Sequence, residues 1–114
     1  MEVKSMVING RKVKYGEVEI EWDGKKSPVR IKKLSFGEML DLNQLSAKVN
    51  YGGAGAQITF DARAMSENCL LKGIIEAPFP VNLQSIRDLD KETGEYLVTV
   101  FNELNSPAPA KKEN

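Results

Sequence analysis

The sequence predicts an α+β fold in which a small N-terminal antiparallel sheet, built of hairpins, is followed by a C-terminal bundle of three to four short helices. Two hydrophobic periods, with one switch between them at Ser35, carry this reading. From Val3 to Leu34 the apolar residues recur every second position, as in Val18, Ile20 and Trp22 with Glu17, Glu19 and Glu21 between them, the pattern of half-buried strands. From Ser35 onward they recur every three to four positions, the pattern of one-sided helices. A chain of 114 residues, 41% of them apolar, has material for one core and is too short for two domains.

Within the front part, Asn9-Gly10 and Asp23-Gly24 supply residues that tolerate the positive backbone angles of tight hairpin turns, which separates strands near 3–8, 11–15, 17–22 and 28–33. The parity of the alternation changes between Val13/Tyr15 and Val18/Ile20, with Gly16 at the change. A bulge or bend there is expected, because it returns the second set of side chains to the core face.

Ser35-Phe36-Gly37-Glu38 reads as a capping box that opens a first helix. Phe36, Met39, Leu42, Leu45 and Val49 then form its apolar stripe, and it ends before Gly52-Gly53-Ala54-Gly55. Thr59 or Asp61 caps a second helix running toward Glu76, burying Met65, Cys69, Leu70 and Ile74, with Leu71 and Ile75 beside them. Pro78 and Pro80 stop it. A short helical turn follows, in which Leu83, Ile86 and Leu89 share a face, and Asp90 caps the last helix. There Leu97, Val100, Phe101 and Leu104 fall at i, i+3, i+4 and i+7. Residues 1–105 are thus expected to form one domain, strand-rich over 1–34 and helical over 35–105, with 106–114 a disordered tail.

Composition narrows the chemistry. The chain has no histidine, which excludes every His-containing triad and the commonest general base and metal ligand. Its single cysteine, Cys69, forms neither an internal disulfide nor a multi-cysteine zinc site. No apolar run approaches the roughly 18 residues of a membrane span, and Met1-Glu2-Val3-Lys4 lacks the apolar stretch of a signal peptide. A soluble, cytoplasmic protein without membrane partners is expected.

Four features invite a chemical reading. The Gly-rich segment Gly52–Gly55 follows a helical pattern and lacks the Lys-Ser/Thr of a phosphate-binding loop, so it reads as a linker between helices. Asp88 and Asp90, or Glu92 and Glu95, resemble acid pairs, but acids at a helix start are expected from the positive amide end alone. Cys69 lies on an apolar face with no histidine to activate it and reads as a packing thiol. No catalytic, cofactor-binding or metal-binding residue is assigned, and the chain does not read as an enzyme.

Charge offers the fourth feature. Sixteen basic and sixteen acidic residues cancel overall, yet residues 1–33 hold nine Lys or Arg against five acids. Lys12, Lys14, Arg30 and Lys32 on a sheet could track a phosphate backbone, with Tyr15 and Trp22 stacking on bases. A small nucleic-acid-binding protein is therefore the alternative reading. Against it, Glu17, Glu19 and Glu21 run through the same sheet, and Trp22 is in phase with Val18 and Ile20.

The segment order also resembles a known family. A basic, strand-rich start leads into Lys33-Leu34-Ser35-Phe36-Gly37-Glu38-Met39-Leu40; a middle helix closes on Ile74-Ile75-Glu76-Ala77-Pro78. The end pairs Ile86-Arg87-Asp88-Leu89 with a final helix over Tyr96–Asn105. This arrangement, over roughly residues 28–105, resembles the tail assembly chaperones of long-tailed bacteriophages and their proviral relatives. The resemblance implies a non-enzymatic protein, with no cofactor, that acts in virion morphogenesis. It would bind the tape-measure protein and other tail proteins, and would self-associate into an oligomer. It also implies contacts on the helical face, namely Met65, Leu71, Ile75, Phe79, Tyr96 and Phe101, each of which could instead be spent in the core.

Overall fold

The computed structural model describes residues 2–52 and 55–106. Its strands and helices, in chain order, are β1 (Val3–Ile8), β2 (Arg11–Trp22), β3 (Lys25–Lys32), α1 (Phe36–Ser46), β4 (Ala47–Gly52), β5 (Gly55–Phe60), α2 (Ala62–Gly73), β6 (Ile74–Glu76), α3 (Leu83–Arg87) and α4 (Lys91–Asn105). The fold is α+β: an antiparallel sheet ordered β1-β2-β3-β6, with the helices on one of its faces. Both hairpin turns form where expected. Asn9 and Gly10 take φ of 50° and 78°, and Asp23 and Gly24 take 56° and 79°, the left-handed pair that matches strand twist in a two-residue turn.

Gly16 makes no bulge. β2 is one twelve-residue strand whose register runs unshifted past Gly16, which lies opposite Val3 on one side and Ile31 on the other. Val13 and Tyr15 therefore occupy the face opposite Val18, Ile20 and Trp22. The sheet accommodates this because Tyr15 is buried outside the main core, under the guanidinium of Arg30, whose carbon lies 5.3 Å from the ring centroid. Arg30 is held there by Glu17 at 2.9 Å and Glu76 at 3.2 Å. The register shift lies instead between Arg30 and Ile31, where β6 joins β3.

The capping box is formed: the Glu38 N–H donates to Ser35 Oγ at 3.2 Å, and the Ser35 N–H to Glu38 Oε1 at 2.9 Å. α1 is nevertheless shorter than expected. Leu42 is buried and Met39 half-buried, but Phe36 and Leu45 are exposed and Val49 lies in β4. After Ser46 two six-residue segments alternate apolar and polar, and they pair as a separate two-stranded ribbon. The Gly-rich segment is thus the end of a hairpin, not a linker between helices; Gly53 and Ala54 lie outside the described residues.

Asp61, not Thr59, caps α2, accepting from the N–H groups of Arg63 and Ala64. α2 stops at Gly73 rather than reaching Glu76. Ile74 and Ile75, β-branched and close ahead of Pro78, extend along β3 instead. Asn82 and Asp90 cap α3 and α4. The α4 stripe lies as its spacing predicts: Leu97, Val100, Phe101 and Leu104 are all buried, each contributing about 2 kcal/mol of apolar transfer. They meet Ile20, Val29 and Ile31 from the sheet and Cys69, Leu70 and Ile74 from the α2–β6 segment. The tail expected over 106–114 lies, from Pro107 on, outside the described residues. Among the described residues no helix is long and apolar enough to cross a membrane.

Candidate partner-binding groove

Three helices leave a groove of about 580 Å³ between them. α2 contributes Arg63, Ser66, Glu67 and Leu70, spaced i, i+3, i+4 and i+7, so one helical stripe forms a wall. α4 forms the other wall through Lys91, Gly94, Glu95 and Val98, in the same spacing, with Thr99 beside them. The floor comes from Leu70, Ile86, Leu89 and Val98; the first two are buried and the others half-buried. Ile86 is set there by the Asn82 cap, which fixes the short α3 through the Ser85 N–H at 2.8 Å.

The rim charges are matched. Glu67 Oε2 accepts from Arg87 Nε at 2.6 Å and from Arg63 Nε at 3.4 Å, and Lys91 Nζ lies 3.9 Å from Glu95. The hydrogen bond from Arg87 holds the Glu67 carboxyl below its ordinary value, and Glu67 in turn raises Arg87. Asp90 is lowered by its bond with Thr93. Both carboxylates are thus driven to stay ionised, the opposite of the shift a general acid needs near neutral pH. An apolar floor between walls of paired, mixed-sign charge suits the apolar stripe of an amphipathic helix.

None of the six residues expected as contacts lines this groove. Phe79 and Phe101, at 5% and 3% exposure, are spent in the core; the Phe79 ring packs on Trp22 with centroids 5.2 Å apart. Met65 and Leu71 are half-buried against that core, and Ile75 is half-buried on β6. Tyr96, 45% exposed, borders a shallow cleft over Glu17–Glu21 of β2. Sequence reasoning missed Val98, one position off the main α4 stripe. The signal available was the charge spacing: Arg63/Glu67 and Lys91/Glu95 are i, i+4 pairs flanking apolar residues.

The other candidates resolve as follows. Arg30 and Lys32 of the basic sheet are engaged in ion pairs with Glu17, Glu76 and Glu38. Trp22 packs on Phe79, and Tyr15 is buried under Arg30, so both rings are engaged within the fold. Arg11, Lys12, Lys14 and Lys33 border a depression of about 420 Å³. Asp88 accepts from Gln84 and Asp90 caps α4. Cys69 is buried, and desolvation pushes its thiol up to about 11, far from a reactive thiolate at neutral pH. Among the described residues no three His, Cys, Asp or Glu side chains are grouped to hold a metal ion. No family model, curated protein or solved structure matches the chain.

Proposed function

We propose that this protein is a tail assembly chaperone of a long-tailed bacteriophage or provirus, working in the host cytoplasm. In this reading it is not an enzyme. It binds helical segments of the tape-measure protein, meets other tail proteins as the tube forms, and self-associates. The observation that carries the reading is the groove between α2, α3 and α4: Leu70, Ile86, Leu89 and Val98 under a rim of paired charges. A chaperone for a long helical client must accept many similar segments without demanding one sequence, and must release them. A shallow apolar floor with a charge-balanced rim meets both needs. Repetition along the client then supplies avidity from weak single contacts. The motif Lys33–Leu40, on which the resemblance leans, forms the capped entry to α1.

Co-expression tests it. A tape-measure fragment, taken from the long helical reading frame beside the gene, is expected to stay soluble with the wild-type protein. It is expected to precipitate with Val98→Glu, which puts a charge on the groove floor. Equal solubility with the variant, or none with either protein, overturns the reading.

One observation favours a second reading. Arg11, Lys12, Lys14 and Lys33 make no ion pair among the described residues and gather at one depression, which suits a polyanion. That reading requires binding to DNA or RNA that weakens steeply with salt and falls on Lys12→Gln and Lys14→Gln. The chaperone reading expects neither.

A further inference from the structure

We infer that the free edge of β2 beyond the end of β1 is a docking site for an extended segment of another protein, with Lys or Arg at every second position and apolar residues between. The segment joins the sheet as an added strand. The inference goes beyond the chaperone reading and does not rest on it, because it uses the sheet edge and not the helical groove.

Backbone geometry supplies its basis. β1 covers β2 only from Arg11 to Gly16. The two-residue turns close hydrogen-bonded pairs, Ile8 with Arg11 and Trp22 with Lys25. From these ends the bonding of β2 alternates, odd-numbered residues toward β1 and even-numbered ones toward β3. The Lys33 N–H, which donates to the Lys14 carbonyl at 2.7 Å, fits that alternation. The N–H and C=O groups of Glu19 and Glu21 therefore point away from β3, past the end of β1, where no strand of the described residues meets them.

Side chains fix the kind of strand that fits. Glu19 and Glu21 are exposed and form no ion pair among the described residues, Lys26 opposite Glu21 included. Residues directly opposite each other in a ladder share a face, so those that meet the two carboxylates are cationic. The positions between them fall on the side of Val18 and Ile20. There Tyr96 of α4, 45% exposed, borders a cleft of about 550 Å³ with these two residues, which suits apolar side chains. A second copy does not supply such a strand. Edge laid on edge sets Glu against Glu, which destabilises the pair, and the open edge of β1 brings only Val3, Ser5 and Val7, without charge. The glutamates thus bar self-pairing of the edge and leave it open to a basic strand.

Titration with the peptide acetyl-Lys-Val-Lys-Val-Lys-amide, followed by amide exchange in NMR spectra, tests the inference. The peptide is expected to protect the Glu19 and Glu21 N–H groups and to leave those of Val18 and Ile20, which bond toward β3, as they were. Methylating its lysine nitrogens keeps every charge and removes the donors that face the edge, and is expected to abolish binding. Methylating its valine nitrogens, which face away, is expected to change nothing. The double variant Glu19→Lys, Glu21→Lys is expected to bind the unmodified peptide about tenfold more weakly. Equal binding of the lysine-methylated peptide would reduce the contact to charge alone, and protection that rises with protein concentration in the absence of peptide would make a second copy the occupant. Either result, or no protection by the unmodified peptide, overturns the inference and leaves the chaperone reading standing.

Discussion

The ring of Phe101 occupies the space that a Cβ on residue 73 would need: an ideal Cβ built on Gly73 would lie 2.7 Å from Cδ2 and 2.9 Å from Cε2 of that ring, and 3.3 Å from Cγ2 of Ile31. Gly73 ends α2, Phe101 lies at the centre of the α4 stripe, and Ile31 is fully buried on β3. The absent side chain is thus what lets two helices and the sheet meet at van der Waals distance. Its backbone is not in the left-handed region, so the requirement is space rather than torsion.

Gly73→Ala is accordingly expected to destabilise the fold by about 1–3 kcal/mol through overpacking, although alanine is the better helix former. Chemical denaturation of the two proteins checks it. A stabilised Gly73→Ala would mean that the ring moves aside freely.

A second long-range tie joins the C-terminal end of α4 to the segment after β3. The Asn105 carboxamide accepts from the Leu34 N–H at 2.7 Å and donates to the carbonyls of Lys32 at 3.3 Å and Phe101 at 3.1 Å. Asn105→Ala leaves a part-buried N–H and a carbonyl without partners, an expected loss of about 1–3 kcal/mol. Asn105→Asp is expected to restore only the acceptor half. Thermal unfolding of the pair separates the two contributions.

These two ties show where the sequence was legible and where it was not. Asn9-Gly10, Asp23-Gly24, the Ser35–Glu38 box and the 97–104 stripe are local signals, each decided within a turn or two of chain, and each is found in place. The need for glycine at 73 is decided by Phe101, 28 positions away, and the three-residue β6 is too short to carry a period of its own. Over 45–60 two patterns compete. Leu45 and Val49 continue a helical stripe, while Ala47–Gly52 also alternates as a strand, and the pairing with Gly55–Phe60 prevails. The groove was hidden for a further reason. Its floor uses residues flanking the core stripes, such as Val98 and Leu89, whereas Leu71, Ile74 and Ile75 lie outside it, with Ile74 buried in the core and Leu71 packed against it.

Acid sensitivity is expected from Glu38. Burial pulls its carboxyl up, but the hydrogen bond from Lys32 and the Ser35 N–H outweigh this and leave it below the ordinary 4.5. A carboxyl lowered on folding contributes stability that is fully present above its ordinary value and disappears as pH falls through the lowered one. Glu38→Gln keeps an oxygen for the capping box and removes the charge facing Lys32. The variant is expected to melt below the wild type at pH 7, with the gap closing as pH falls through the lowered value and the wild-type carboxyl protonates. Melting curves across that range check the sign, and a gap that persists in acid would place the effect in the capping box.

Gly94 gives the groove its sharpest test. It sits in the first part of α4 with a negative φ and open space where a Cβ would stand, so neither torsion nor packing in the free protein requires glycine. A glycine inside a helix costs about 1 kcal/mol relative to alanine, and Gly94→Ala is expected to recover about that much. What the position does have is a place in the groove wall, between Lys91 and Val98. Gly94→Leu, which stays a good helix former, projects a large side chain into that space. It is expected to fold at least as stably as the wild type and to lose the capacity to keep a tape-measure fragment soluble. Thermal melts and co-expression, run on both variants, separate the outcomes. Full chaperoning by Gly94→Leu would remove the groove from the mechanism, whereas its loss in a stable Gly94→Leu protein would explain why a helix wall carries a glycine that the fold does not need.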